Sequence, residues 1–212
     1  GSRLLQCYGF PTLPVEVVES ADAAAQAAEK MGFPVVMKVV SPQILHKMDA
    51  SAVVLNIETA QAAAQAYTDI VRNSKAYNPE ARIDGVMITK MAPKGEEVIL
   101  GVNKHPGFGH LLMFGFGGIY VELFKNVSFR MAPIGRNNAR RMIRSVKGYQ
   151  ILTGYRGKPK ADIETIEKLL VGLSNLVTDC PEIKELDINP LLVHEEGKGA
   201  TVADIIISLE KD

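Results

Sequence analysis

The chain has 212 residues, 47% hydrophobic and 23% charged, enough to bury a core in one large domain or two small lobes. Its 24 basic and 24 acidic side chains cancel, so no global field draws it toward nucleic acid or an anionic membrane surface. No apolar run approaches the roughly 20 residues that a membrane span needs, and no basic region followed by an apolar stretch opens the chain. A cytoplasmic location is therefore expected, with neither nucleic acid nor membrane as partner. Cys7 and Cys180 lack metal-binding spacing and read as reduced packing residues.

In chain order, Arg3 to Tyr8 reads as a short helix cut from something longer, so the chain is expected to be a domain or subunit of a larger machine. Ser20 is a plausible N-cap for an alanine-rich helix from Ala21 to Met31, stopped by Gly32 and Pro34. The β-branched run Val35 to Val40 then reads as a strand that Ser41-Pro42 breaks. A strand from Ala52 to Ile57, a helix capped by Thr59 and running to about Asn73, and a strand from Gly85 to Lys90 complete an alternating βαβ unit. After Ala92-Pro93-Lys94-Gly95 the pattern changes to strands at 97–102, 111–114 and 128–132, with a turn through His105-Pro106-Gly107. Helices are expected over 137–146 and 163–178, the second carrying Ile163, Ile166, Leu169, Leu170 and Leu173 at helical spacing. A closing β-hairpin of Lys184 to Val193 and Ala200 to Leu209 ends the chain. The fold class is α+β. Residues 1–92 form an N-terminal segment and a small α/β lobe, residues 93–212 a larger lobe, and a ligand is expected in the cleft between them.

A few short stretches carry chemistry. Lys38 sits inside an apolar strand, where an ammonium needs a carboxylate or an anionic ligand, although an edge lysine reaching water fits the spacing equally well. Gly115, Gly117 and Gly118 follow a strand directly and would let backbone N–H groups approach an anion closely, or simply make a tight turn. Neither a P-loop nor a dinucleotide fingerprint is present. Asp187 and Asn189 project from the same face of one strand. A turn centred between Glu196 and Gly197 would put Asn189 opposite Asp204, gathering hard oxygen donors of the kind that hold Mg²⁺ together with nucleotide phosphates. His46, with Lys47 and Asp49 beside it, lies in an interstrand loop where an imidazole can be merely exposed or can accept a phosphoryl group.

Together these stretches resemble the ATP-grasp domain of NDP-forming acyl-CoA synthetases, a family that includes acetate-CoA ligase (ADP-forming) and is related to succinyl-CoA synthetase β-subunits. The resemblance is carried, in order, by Gly32-Phe-Pro-Val-Val-Met-Lys38, Ser41-Pro-Gln-Ile-Leu-His46-Lys-Met-Asp49, Glu97-Val-Ile-Leu-Gly-Val102, Phe114-Gly-Phe-Gly-Gly-Ile-Tyr-Val-Glu122, Val127-Ser-Phe-Arg-Met-Ala-Pro133, Gly154-Tyr-Arg-Gly157 and Glu185-Leu-Asp-Ile-Asn-Pro190. It implies an ATP-grasp fold of two α/β lobes with the nucleotide between them. It also implies a relay in which acyl-CoA and phosphate give an acyl phosphate, whose phosphoryl group passes to a histidine of a partner domain and then to ADP. His46 matches a second, intermediate carrier. Lys38 would contact nucleotide phosphates; Thr89, Lys90, Met91 and Ala92 would form the interlobe hinge against adenine. Glu97 would take the ribose hydroxyls, and Asn189 and Asp204, with Asp187, would bind Mg²⁺. The implied ligands are ATP or ADP with Mg²⁺, and the implied partners are CoA-binding and CoA-ligase domains, or an α subunit, with a small acyl substrate.

The chain departs from that pattern in places. Asp49-Ala50-Ser51-Ala52-Val53 stands where the family has Asp-Val-Gly-Gly-Val, Lys90 replaces an acidic or neutral hinge residue, and no arginine follows Asp204. An alternative is therefore a catalytically degenerate, ATP-binding regulatory module of a synthetase-like protein acetyltransferase. A further alternative is an ATP-grasp ligase that joins a carboxylate to an amine, which would need no phosphohistidine.

Overall fold

In the computed structural model, residues 1–44, 47–117 and 127–210 are described. The chain divides into two compact units, Leu13–Met91 and a second made of Gly1–Thr12 with Ala92–Asp212. The change of pattern at residue 92 coincides with this division, but the first twelve residues group with the larger unit. The reason is packing: Leu5 and Phe10 bury in the core of that unit, and Val202 donates its N–H to Pro11 O at 2.9 Å.

In the smaller unit, local signals set the elements. The Ser20 hydroxyl accepts from Ala23 N–H and the Thr59 hydroxyl from Ala62 N–H, each at 3.1 Å, so these caps start helices α2 (Ala21–Met31) and α3 (Ala60–Tyr77). The strands are β1 (Val15–Val18), β2 (Val35–Val40), β3 (Val53–Ile57) and β4 (Gly85–Lys90). Every neighbouring pair in the order β1-β4-β2-β3 is antiparallel. Because β2 is antiparallel to both β3 and β4, those two run parallel to each other, and α3 is the crossover that joins them. Likewise α2 joins β1 to β2 around β4, so the unit is two interleaved βαβ turns. Strand β1 has no counterpart in the sequence reading. Val35, Met37, Val39, Val86 and Ile88 pack with α2 and α3 into one core, which leaves Val36, Lys38, Met87 and Thr89 on the opposite face.

The larger unit starts with helix α1 (Ser2–Cys7) and is built on a six-stranded sheet in the order β10-β8-β5-β6-β7, with β9 pairing β8. Its strands are β5 (Glu96–His105), β6 (Gly109–Phe116), β7 (Val127–Met131), β8 (Ile183–Val193), β9 (Ala200–Val202) and β10 (Ile205–Leu209). One face carries Val98, Leu100, Val102, Leu112, Phe114, Leu186 and Ile188 into a core. Helices α4 (Arg136–Ser145), α5 (Tyr149–Leu152) and α6 (Ile163–Asp179) contribute Met142, Ile143, Leu152, Leu170 and Leu173 to that core. Asp162 caps α6: its Oδ1 accepts from Thr165 N–H at 3.0 Å and its Oδ2 from Gly199 N–H at 2.9 Å, which ties the helix start to the β8–β9 turn. Glu167 on α6 is buried and receives the guanidinium groups of Arg136 and Arg140 from α4, at 2.9 and 2.7 Å.

Both cysteines are free, but Cys7 is exposed and makes no core contact of the kind expected; its thiol meets Arg3 O.

Candidate functional site

Alternation along β5 places Glu97, Ile99, Gly101 and Asn103 on the sheet face away from the helices. The neighbouring strands present Met113, Gly115, Asp187 and Asn189 on that same face by register, because Gly101 pairs with both Met113 and Asp187, and Ile99 with Gly115. This open face carries most of the candidate residues of the larger unit.

The β8–β10 register is the one a turn between Glu196 and Gly197 demands: Ile205 pairs with Ile188, and Val202 with Leu191. Asn189 N–H donates to Asp204 O at 3.2 Å, so the two residues are direct neighbours. The single strand expected over 200–209 is interrupted at Ala203 and Asp204. Opposite, β8 bulges at Asn189-Pro190: Val98 pairs with Leu191 but Leu100 with Ile188. The bulge switches the buried positions from Leu186 and Ile188 to Leu191 and Val193, leaving Asp187 and Asn189 on the open face. Two carboxylates and one amide oxygen are hard donors suited to Mg²⁺. No group of three or more His, Cys, Asp or Glu side chains that could hold a metal ion occurs among the described residues; an ion on Asp187, Asn189 and Asp204 would need water or nucleotide phosphates to complete its shell.

At the start of β5, Gly117 N–H donates to Glu97 O at 2.8 Å. A Cβ at Gly117 would come within 3.1 Å of the Glu97 Cβ, so the chain leaves β6 closely packed against Glu97. Glu97 is exposed. Gly118 lies outside the described residues.

In the smaller unit, Lys38 is only 7% exposed on the face away from α2 and α3, beside Met87 and Val53 in the register. Thr89 is on the same face, paired with Val36, and its hydroxyl is buried with no hydrogen-bond partner among the described residues. Leaving such a group unsatisfied costs on the order of 1–3 kcal/mol, and the Ser74 hydroxyl on α3 is in the same state. Lys90 points the other way. Its ammonium donates to Gly32 O at 2.7 Å and Phe33 O at 2.9 Å, closing the C-terminus of α2, and Met91 N–H is already given to Pro34 O. Of the four residues expected at the hinge, Thr89 alone thus has a buried polar side chain without a hydrogen-bond partner among the described residues; the Lys90 side chain serves the fold, and Ala92 opens the larger unit.

His46 also lies outside the described residues. Around it, the connection between β2 and β3 is held by Ala52 N–H to Lys47 O at 2.9 Å and Ser51 N–H to Met48 O at 3.0 Å. The two positions that lack the family's glycines behave differently. Ala52 is fully buried and its methyl joins the core, whereas Ser51 takes a left-handed backbone with φ of 48°. Two other histidines are structural: His110 is buried with Nε2 2.7 Å from Ile183 O, and His194 Nε2 is 2.8 Å from the Thr201 hydroxyl.

One feature of the larger unit lies outside the motif roles assigned from sequence. Lys158 meets Glu96 at 2.9 Å, anchoring the loop after α5 to the start of β5. A pocket of about 780 Å³ adjoins this loop, lined by Tyr149, Thr153, Lys160, Asp162, Lys168 and Gly199, and none of the sequence-derived site residues lines it. The signal available in the sequence was the pair of glycines, Gly154 and Gly157, around Tyr155 and Arg156.

A sequence profile described as the ATP-grasp domain matches residues 1–209. The chain belongs to the ATP-grasp domain family. It is 46% identical over 209 residues to the β subunit of acetate-CoA ligase [ADP-forming] II of Pyrococcus furiosus, covering 98% of this chain and 89% of that one. It is 44% identical to 4-hydroxybutyrate-CoA ligase [ADP-forming] of Nitrosopumilus maritimus, covering 99% of this chain but 30% of that longer protein. Among solved structures, acetyl-coenzyme A synthetase 1 of Ca. Korarchaeum cryptofilum in complex with coenzyme A and Ca-AMPCP superposes with a TM-score of 0.93 at 39% identity, covering 99% of this chain and 90% of that chain. The same enzyme with Mg-AMPPCP, its phosphohistidine segment pointing towards the nucleotide binding site, superposes at 0.82 and 35% identity, with coverages of 99% and 90%. This ATP-grasp chain therefore has ADP-forming acyl-CoA ligases as its relatives. The regulatory-module alternative is not favoured, because the named relatives are ligases. No helix among the described residues is long and apolar enough to cross a membrane.

Proposed function

We propose that this ATP-grasp chain is the nucleotide-handling part of an ADP-forming acyl-CoA synthetase, passing a phosphoryl group between a phosphohistidine and ADP. The observation that carries the reading is the pairing of Asn189 with Asp204 on the open sheet face beside Asp187, a hard-oxygen set suited to Mg²⁺.

In this reading Asn189 and Asp204, with Asp187, hold Mg²⁺, which offsets charge on the phosphates when bound. Lys38 supplies a second cation, and its low exposure strengthens its pull on a phosphate oxygen. Glu97 accepts hydrogen bonds from ribose hydroxyls, and Gly115, Gly117 and Gly118 let the backbone come close to the nucleotide. Thr89 to Ala92 adjoin adenine, with the Thr89 hydroxyl as the group in need of a partner. His46 accepts the phosphoryl group: an N–P bond forms as the bond to the donor breaks, and attack by an ADP β-phosphate oxygen then breaks N–P and gives ATP. Orientation and electrostatics supply most of the catalysis in such transfers. The CoA-binding and CoA-ligase functions reside in partner domains or an α subunit, and the assembly is cytoplasmic.

Calorimetric titration of the chain with Mg-ADP, alongside Asp204→Ala, tests the assignment. Uptake by the parent chain that the substitution removes is the expected result; an undiminished isotherm for the variant overturns the metal assignment, and no uptake by the parent overturns the nucleotide reading. Acid-labile phosphate on His46 in the assembled enzyme, absent from His46→Ala, tests the relay.

A further inference from the structure

We propose that the outer face of α4, together with Arg130 on β7, docks an acidic face of a protein partner. From the reading above the inference takes only that CoA-handling domains or a subunit accompany this chain. Between Val127 and Ala161 stand nine Lys and Arg and no Asp or Glu, although the chain as a whole is neutral. That run spans β7, α4 and α5, so the positive charge is concentrated in one part of the larger unit.

Packing neutralises some of it. Arg136 and Arg140, about one turn apart, lie on the flank of α4 that meets α6, where Glu164 and Glu167 take their guanidinium groups. Arg141 and Arg144 stand on a different row. The buried Ala139, Met142 and Ile143 fix the inward face of α4, and at about 100° per residue both arginines fall on the outward side. Both are exposed, and neither has an ion pair among the described residues.

Arg130 extends this surface onto the sheet edge. Ser145 donates its hydroxyl to that of Ser128 at 3.0 Å, which pins the end of α4 to β7, the last strand in the sheet order. Arg130, two residues beyond Ser128, leaves the strand on the same side and is exposed. Its register partner Leu112 belongs to the core, so this surface lies on the helix side of the sheet, away from the open face with the candidate nucleotide residues.

Like charges three apart on a helix repel, and an external anion offsets that cost. The outer row of α4, Asn137, Arg141 and Arg144, has no apolar residue, so it lacks the stripe that seats a helix in a lipid surface. It is only about two turns long, which is short for tracking the phosphates of a polynucleotide. Guanidinium forks pair with carboxylates through two parallel hydrogen bonds, which suits Asp and Glu side chains on a protein surface.

The test uses phenylglyoxal, which modifies accessible guanidinium groups, read residue by residue by mass spectrometry in the isolated chain and in the assembled, nuclease-treated enzyme. Arg130, Arg141 and Arg144 should react in the chain alone, lose most of that reactivity in the assembly, and regain it as NaCl screens the contact. Arg72 on the smaller unit, 68% exposed, should react alike in both. The double variant Arg141→Ala, Arg144→Ala removes two repelling cations in favour of a strong helix former, so it should melt no lower than the parent. In its assembly Arg130 should lose its protection, whereas Lys30→Ala with Arg72→Ala, the same change of charge elsewhere, should leave Arg130 protected. Equal reactivity in chain and assembly overturns the inference, as does protection that high NaCl leaves intact. Protection that vanishes on nuclease treatment, or that phosphatidylserine vesicles confer on the isolated chain, overturns it in favour of a polynucleotide or a lipid surface. Mg-ADP uptake is read separately: the double variant should match the parent, and a parent that takes up none overturns the nucleotide reading while the protection pattern decides this inference by itself.

Discussion

Asn189 donates its backbone N–H to the carbonyl oxygen of Asp204 at 3.2 Å, although fourteen residues lie between them in the chain. That hydrogen bond fixes two candidate metal ligands as neighbours on one sheet face, and the β8 bulge keeps Asn189 there. Asp204→Asn preserves shape and backbone pairing while removing a charge. It should weaken Mg-ADP binding on the order of tenfold or more, with little change for ADP in the presence of a chelator. Calorimetry with and without Mg²⁺ measures both.

Lys38 offers a second, independent handle on the same chemistry. Lys38→Met keeps an unbranched chain of similar length on an apolar strand, so the smaller unit should remain folded by circular dichroism. Charge-assisted hydrogen bonds contribute about 1.5–3 kcal/mol, so Mg-ADP affinity should fall roughly tenfold to a hundredfold. A variant that binds Mg-ADP as tightly as the parent would remove Lys38 from the site.

Local elements were legible where caps and breakers stood beside a clear period. Ser20, Gly32 and Pro34 bracket α2, and the Val35–Val40 and Gly85–Lys90 runs coincide with β2 and β4. Strand β1 escaped because four residues between Pro14 and Ser20 carry too short a pattern, and only pairing with β4, some seventy residues later, makes them a strand. The Asn189–Asp204 register could be read because one turn sets it. The role of Lys90 could not, because its partners, the Gly32 and Phe33 carbonyls, are brought to it by tertiary packing. The same is true of the N-terminal residues: nothing in the period of Leu5 and Phe10 says which core they join.

Ser51 stands at a position where the related pattern has glycine, and its φ of 48° shows what that glycine would do. Left-handed backbone costs an L residue about 1 kcal/mol or more. Ser51→Gly relieves this strain while adding chain entropy to the unfolded state, so it should raise the melting temperature by at most about 2–4 °C; the hydrogen bonds that hold the turn, Ser51 N–H to Met48 O and the Asn73 side-chain amide to Ser51 O, use backbone atoms that glycine retains. Ala52→Gly should do the reverse, since it empties a buried methyl site and adds chain entropy to the unfolded state. Thermal unfolding of the two single variants distinguishes strain at residue 51 from packing at residue 52.

Glu167 joins α4 to α6 through Arg140 and Arg136, and its carboxyl is held below its usual value of 4.5, first by the Arg140 hydrogen bonds, against the opposing pull of burial, and then by Arg136. Asp162 behaves similarly: burial pushes its carboxyl up, but the N–H groups of Thr165 and Gly199 outweigh this and keep it below its usual 3.8. A carboxylate whose folded pKa is depressed contributes stability that is complete above the unfolded value and lost as pH falls through the folded one. The larger unit should thus keep its stability down to about pH 5 and lose it progressively below about pH 4.5. Glu167→Gln should lower the melting temperature at pH 7, by an amount equivalent to about 1–3 kcal/mol, and flatten the acid limb of the curve. The two arginines are about half exposed, so water takes up part of the loss and the lower end of that range applies. Melting curves of parent and variant from pH 7 to pH 3 test this directly: parallel acid limbs would mean that Glu167 is not among the groups whose protonation unfolds the chain.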